Sequence, residues 1–438
     1  MLIDFTIKNY RSIRESITLS ALATDIPEHP DNVFQSERKK NINLLKTAVI
    51  YGANAAGKSN IIKAFETFID FVVKSTDLKL GDKLFYYDPF RLNKNSSGEP
   101  TMFEIEFLGN DSVRYRYSIQ FDNDEILKES LVFFPKGYKA VLFYREKGKR
   151  IKFGDSFKGP AKTIEKQLLE NHLFLSKVAN SNNKLLRKIY LYFRNTLQLL
   201  VHPHEIPQDF TSELCLQNES NKKFISDFLK IADTGIEYVK IKKTTIDDNE
   251  FLDEQMSKGQ KLLRKIYMNQ RMKKPQMFHK VFENGKEAGS IGFDLEDESD
   301  GTQKLYDLAG KILYVLKNGL VLIADELNNS LHPLMTQVLI DLFHNPETNP
   351  ENAQLIFATH DTTLLNPDSL RRDQIWLCEK DQYGATSLFS ISEFDYSEVS
   401  SQTPFDKWYL SGRFGALPMI GRFEEWIKNA QKETDKQT

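Results

Sequence analysis

Ala48-Val49-Ile50-Tyr51-Gly52-Ala53-Asn54-Ala55-Ala56-Gly57-Lys58-Ser59-Asn60-Ile61-Ile62-Lys63 carries an apolar run into a glycine-bounded turn and out into an amphipathic helix. Gly52, Gly57, Lys58 and Ser59 satisfy G-x-x-x-x-G-K-[ST], the pattern of a phosphate-binding loop. Each residue type has a physical task. Small residues let backbone N–H groups curl around a phosphate, and the following helix turns its positive end toward the same anion. Lys58 adds a point charge, and the Ser59 hydroxyl suits a magnesium ion. Gly52, Ala53, Asn54, Ala55, Ala56, Gly57, Lys58, Ser59 and Asn60 are therefore the first candidate nucleotide ligands, with ATP and Mg2+ as the expected cofactors.

The chain has 438 residues, 40% hydrophobic and 27% charged, enough for two or three domains with a substantial core. No run of 18 apolar residues occurs, and Met1-Leu2-Ile3-Asp4-Phe5 lacks the basic-then-apolar layout of an export signal, so no membrane partner is expected. Cys215 and Cys378 stand far apart without C-x-x-C spacing, which fits a reducing cytoplasm and argues against a disulfide frame or a zinc site. A net charge of −2 gives no global reason to bind nucleic acid.

Upstream of the loop, Leu2–Tyr10 and Arg14–Leu22 read as two strands of an opening hairpin. Asp25–Asn43, with Pro27, Pro30 and the cluster Arg38-Lys39-Lys40, reads as an exposed connection. Downstream, the helix should run to about Lys74, after which the apolar period changes to two. Met102–Phe107, Val113–Phe121, Leu131–Phe134 and Lys139–Arg145 predict an antiparallel, half-exposed sheet. Residues 164–276 read as mostly helical, over Ile164–Ala179, Asn183–Leu200, Lys222–Ile231 and Asn249–Met272. Within this block, Lys240–Lys274 carries ten basic residues against five acidic ones, which suits a nucleic-acid-facing arm, a solvated helix face or a protein-docking surface.

Short strands at Met277–Glu283 and Ser290–Leu295 precede Ser299-Asp300-Gly301-Thr302-Gln303 and a helix, Leu305–Leu316. Gly319-Leu320-Val321-Leu322-Ile323-Ala324-Asp325-Glu326 then runs as a fully apolar strand ending in two carboxylates, and Gln354–Asp361 as another ending at His360. Continuous apolar runs suit strands buried on both faces of a parallel sheet, whose polar ends meet beside the phosphate loop. There Asp325 can hold magnesium, Glu326 can orient and deprotonate an attacking water, and His360 can reach a γ-phosphate. Ser299, Gly301 and Gln303 open a helix and form a second anion-binding edge. One nucleotide does not readily occupy two such edges of one sheet, so the expected geometry is a head-to-tail homodimer, each copy offering this edge to the other's ATP. Gln374–Glu379, Tyr409–Pro418 and a closing helix near Gly421–Gln431 complete the reading.

Order and spacing resemble the ABC-type ATPases related to SMC and RecF proteins. Asn9-Tyr10-Arg11-Ser12 looks like their N-terminal motif, and Ser299–Gln303 like their Ser-x-Gly-x-Gln signature. More narrowly, Asp325–Pro333, Tyr87-Asp88-Pro89-Phe90 and Gly412–Pro418 are similar to the stand-alone RloA- and AriA-type ATPases of bacterial defence loci, relatives of the OLD-type ATPase domain. The resemblance implies an α/β fold: an ABC-type ATPase head with a mixed or parallel P-loop sheet, an antiparallel β lobe and a mainly helical insertion. It divides the chain into an N-terminal ATPase part (1–160), the insertion (161–276) and a C-terminal ATPase part (277–438). It makes Gly52–Ser59 Walker A, Asp325-Glu326 Walker B, Ser330-Leu331-His332 the D-loop and His360 the switch histidine, with Lys58, Glu326 and His360 catalytic and Ser59 and Asp325 on the metal. Glu298 stands where relatives have leucine, and Asn328 where they often carry an acid. The implied activity is ATP hydrolysis that controls a separately encoded effector protein, a toxin or nuclease, in anti-phage defence. The alternative is a RecF- or SMC-like DNA-binding ATPase of repair or recombination.

Overall fold

Strands that are apolar throughout and strands that alternate sort into different sheets. The computed structural model describes residues 1–36, 42–135, 137–157, 161–179, 181, 183–201, 206–207, 209–243, 273–327, 331–395, 399–400 and 402–416. In chain order, β1 (Leu2–Lys8) and β2 (Ile17–Ser20) form the expected hairpin. The ribbon β3 (Val33–Gln35) and β4 (Asn43–Leu45) leads into β5 (Thr47–Tyr51), the phosphate loop and α1 (Lys58–Lys74). An antiparallel series follows: β6 (Thr101–Leu108), β7 (Arg114–Phe121), β8 (Ile126–Phe134), β9 (Ala140–Glu146) and β10 (Lys152–Phe153). Helices α2 (Ala161–Lys166), α3 (Phe174–Ala179) and α4 (Lys184–Leu191) pass through a π-helical turn, Tyr192–Thr196, into β11 (Leu197–Leu200). Then come α5 (Phe210–Gln217), α6 (Glu219–Ile231) and the strands β12 (Ile236–Lys243), β13 (Lys273–Glu283) and β14 (Lys286–Asp294). The remaining elements are α7 (Asp300–Lys317), β15 (Val321–Ala324), α8 (Pro333–His344), β16 (Gln354–Ala358), β17 (Ile375–Lys380), β18 (Thr386–Ser390) and α9 (Phe405–Leu410).

The core sheet has the order β11-β15-β16-β5-β17-β18 and is parallel except for β17 against β18. Along β5, β15 and β16 successive side chains enter two different cores. Ile50, Ile323 and Ile356 face one; Tyr51, Leu322 and Phe357 face the other. This double burial is why these strands read as unbroken apolar runs. The second sheet, β10-β9-β8-β7-β6-β1-β2, is antiparallel and includes the opening hairpin, because β1 pairs with β6. Helix α1 lies between the sheets: Phe5 of β1 stacks on Phe65 at 3.9 Å, and Phe68 meets Phe103 at 5.7 Å and Tyr117 at 6.0 Å.

Several local expectations need correction. Asp25–Asn43 is not a plain connection but contributes the β3–β4 ribbon and the buried Asn32, whose amide donates to Ser369 O and Gln374 Oε1. Ile164–Ala179 is two short helices, broken where Asn171 donates to Lys79 O and His172 Nε2 bonds Leu78 O. Asn183–Leu200 ends as β11, in register with β15 from Leu197↔Val321 to Leu200↔Ala324, so sheet pairing overrides helical periodicity there. Ile236–Lys243 is likewise a strand, paired with β13. Arg38-Lys39-Lys40, Asn249–Met272 and Gly421–Gln431 lie outside the described residues.

Gln354 ties the first strand to the core sheet. Leu2 N–H donates to its Oε1 at 2.7 Å, and its Nε2 donates to Leu2 O at 3.1 Å and Leu45 O at 3.0 Å, all buried. Gln354→Leu keeps the volume but strands these backbone groups. It should cost about 3 kcal/mol of unfolding free energy, read from the urea midpoint. An unchanged midpoint would show that the amide is not a tie.

Candidate functional site

The loop after β5 takes its shape from residues far away in sequence. Gly52 has φ +155°, and a Cβ there would sit 2.2 Å from Cys378 O of β17. Gly57, at φ +118°, would meet Thr386 Oγ1 at 2.2 Å and Ser12 Oγ at 3.0 Å. Only glycine satisfies both the left-handed backbone and the close approach. Thr386 Oγ1 donates to Ala56 O at 2.8 Å and lies 2.8 Å from Ser12 Oγ, which accepts from Asn60 Nδ2 at 2.7 Å. Thr386 N–H donates to Ser12 O at 2.7 Å. Ser12 thus fastens the loop to β18, and the loop's Ala53 N–H donates to Ala416 O at 3.2 Å.

The N-terminal motif and Tyr87–Phe90, separate features in the sequence, come together. Buried Asn9 accepts from Phe90 N–H at 3.1 Å and donates to Ser96 O and Glu99 O, Arg11 N–H donates to Asp88 O at 2.6 Å, and the Arg11 side chain pairs with Asp88. Ser12 is therefore held at a fixed height over the phosphate loop.

Facing the loop is a cavity of about 400 Å³ lined by Asn54, Lys58, Ser59, Asn60, Glu326 and Lys380, among others. Lys58 Nζ donates to Gly52 O at 2.8 Å and Ala53 O at 3.1 Å, and burial holds its pKa below the usual lysine range. Among the described residues, the amides of Asn54, Ala55 and Gly57 have no acceptor. Together with the start of α1 they form an anion cradle. Asp325 and Glu326 follow β15 directly. Burial raises the Asp325 pKa, opposed by a hydrogen bond from Ser59. Its Oδ1 is buried without a partner among the described residues. Two adjacent oxygen ligands, one an orphaned carboxylate oxygen, fit a magnesium ion beside the phosphates. Glu326 lines the same cavity at φ +47°, a left-handed conformation costing a non-glycine residue about 1–3 kcal/mol.

The other candidates lie elsewhere. His360 is exposed just beyond β16 and does not line the cavity. Ser299 caps α7, its Oγ accepting from Thr302 N–H at 3.2 Å, and Gln303 Nε2 donates to Glu298 O. Ser299 is exposed, and a Cβ on Gly301 would touch only Ser299 Oγ, at 3.8 Å, so this edge faces open space. Glu298, in the place of a leucine, pairs with His279 at 2.8 Å. Of the D-loop position, Ser330 lies outside the described residues, and so does Asn328; His332 caps α8. Lys380 and Thr386 were not singled out from sequence. They sit on a β-hairpin without a motif of its own, and only sheet order puts it behind the loop.

A parallel sheet ending in a glycine-bounded phosphate loop, with paired carboxylates on a neighbouring strand end, defines a P-loop ATPase. The chain belongs to the family described as "AAA domain, putative AbiEii toxin, Type IV TA system", whose model matches residues 48–366. No curated protein matches it significantly in sequence. Among solved structures it is similar to the Smc head domain with an extended coiled coil, bound to the C-terminal domain of ScpA, from Pyrococcus furiosus: 13% identity, 89% of this chain and 96% of that one covered, TM-score 0.42. It is also similar to the recombination mediator protein RecF with an ATP analogue (13%, 89% and 97%, 0.35) and to a Pyrococcus yayanosii Smc head with coiled coil and joint (11%, 94% and 99%, 0.37).

Because the folded Asp325 carboxyl has a raised pKa, the native state binds its proton more tightly than the unfolded chain. Stability from this group is present at low pH and lost as pH rises from the ordinary carboxylate pKa through the folded one. In EDTA at pH 7, Asp325→Asn should therefore unfold at a higher urea concentration than the parent while losing magnesium-dependent nucleotide binding. A lower midpoint would contradict an uncompensated carboxylate.

Proposed function

We propose that the chain is an ABC-type ATPase that binds ATP in the Lys58 cradle and hydrolyses it between two copies arranged head to tail. The observation that carries this reading is the open cradle itself, with free amides, a buried lysine and an orphaned Asp325 oxygen converging at one sheet edge. In the bound state the Gly57–Ser59 amides and Lys58 would hold the β- and γ-phosphates. Ser59 and Asp325 would hold magnesium, which shields the phosphate charge when bound. Glu326 would orient the attacking water and take its proton. Exposed His360 and the Ser299–Gln303 edge, with Ser299 exposed, are not among the residues lining the cavity and would act on nucleotide only once a second copy closes the site.

Closure of the two copies would control a separately encoded effector, a toxin or nuclease, in anti-phage defence. The resemblance of Asp325–Pro333 and Gly412–Pro418 to defence ATPases supports this, as does the toxin–antitoxin wording of the family description. A RecF-like role on DNA has one observation in its favour. Lys242 stands directly opposite Lys274 across the β12–β13 ribbon, a like-charge pairing offset only by Asp294, 3.8 Å from Lys274, that an anionic backbone would relieve. ATPase stimulated by duplex DNA and losing that stimulation with added salt would favour it.

Lys58→Ala should abolish ATP binding. Glu326→Gln should bind ATP, lose turnover by about 100-fold or more, and accumulate as a dimer in sizing with MgATP. ATP hydrolysis undiminished in Lys58→Ala would end the proposal.

A further inference from the structure

The last residues of β17 serve the nucleotide cavity in different ways. Side chains alternate along a strand, so Trp376 and Cys378 enter the core that holds Ala56 and α1, whereas Ile375 and Leu377 enter the other. Cys378 lies under the phosphate loop, its Sγ donating to Ala56 O at 3.5 Å. Glu379 takes the opposite face, where its Oε2 accepts Ala416 N–H at 3.1 Å, and Ala416 O in turn accepts Ala53 N–H. Lys380 follows Cys378 on the side of the loop and α1. It lines the cavity with Lys58, Ser59 and Glu326.

Among the described residues the exposed Lys380 ammonium has no hydrogen bond or ion pair, although acids stand on both sides of it in sequence. Those acids are committed elsewhere. Glu379 is turned to Ala416, and Asp381 Oδ1 accepts Tyr383 N–H and Ala385 N–H, both at 2.8 Å, in the turn that joins β17 to β18. That turn fixes where Lys380 leaves the sheet. The strand order β15-β16-β5-β17 then brings Glu326 and Lys380 to the phosphate loop from opposite sides. Lys58 already bonds two carbonyls of its own loop, so Lys380 is a second cation at the cavity, without a protein partner among the described residues.

We infer that Lys380 is a second phosphate-binding lysine, which contacts the nucleotide's phosphate chain from the side of the loop opposite Asp325 and Glu326. The inference rests on the reading of this cavity as an ATP site. A lysine presents a compact charge on a flexible stem and reaches a phosphate oxygen without the strict geometry that a guanidinium fork imposes. Standing across the loop from the carboxylates assigned to metal and water, Lys380 meets phosphate charge that is present before and during the reaction. It therefore holds substrate and transition state alike, and its loss weakens binding rather than the chemical step.

The test is calorimetric titration of a hydrolysis-resistant ATP analogue with magnesium, together with steady-state ATPase, on the full chain and on Lys380→Gln, Lys380→Arg, Lys58→Ala and Lys407→Gln. Lys407, exposed on α9 and not among the residues lining the cavity, controls for net charge. Lys380→Gln should bind the analogue about tenfold more weakly and raise KM by a similar factor, with kcat within about twofold of the parent. Lys380→Arg keeps the charge and should recover most of the affinity, and Lys407→Gln should match the parent. Lys380 is exposed and glutamine keeps most of its stem, so misfolding does not confuse the result. Parent-like affinity in Lys380→Gln, with binding lost in Lys58→Ala, would overturn this inference and leave the ATP reading standing. An equal loss in Lys407→Gln would also overturn it, reducing the effect to overall charge. Failure of the parent itself to bind the analogue would bring down the ATP reading and this inference together.

Discussion

The constraint on which the rest of the site depends is the approach of Ser12 and Thr386 to Gly57. Two hydroxyls, from the N-terminal segment and from β18, lie where a side chain at 57 would have to go. Through Ala56 O and Asn60 they fix the loop from behind, leaving its amides turned toward the cavity. A phosphate loop without such backing would have to be ordered by its ligand, at a cost in affinity; here the order is present beforehand.

That brace unites parts of the chain that are distant in sequence. Ser12 is carried by the hairpin that starts the antiparallel sheet, and Thr386 begins the strand next to β17 in the other. Helix α1, starting at the loop, is buried between the two sheets by Phe65 and Phe68. A movement of the loop is therefore felt by both sheets, and Gln354 links them again at the far end of β1. The carboxylates belong to the same frame: β15 is held by β16 on one side and by β11 on the other, and Leu200 fixes the Asp325 backbone.

Much of this was legible in the sequence because it rests on local signals. The loop, the period-two strands from Met102 to Phe121, and the apolar runs into Asp325 and His360 need no tertiary information. What could not be read depends on sheet pairing. Leu197–Leu200 has the composition of a helix end and becomes a strand only because β15 lies beside it. Thr386 and Lys380 occupy a hairpin with no motif, and reach the site through the β5–β17 register alone. Asn171 and His172 break a helix that periodicity would continue, since their side chains satisfy carbonyls of the chain after α1. Ser12 stood out by family resemblance, yet its contacts with Asn60 and Thr386 require the fold.

The account depends on a preformed cradle in which glycine at 57 is obligatory. The most direct measurement is titration of an ATP analogue that resists hydrolysis into Gly57→Ala, alongside its far-UV circular dichroism. The account predicts an unchanged spectrum with affinity reduced by about 100-fold or more, ~2.7 kcal/mol. Parent-like affinity in that variant would contradict it.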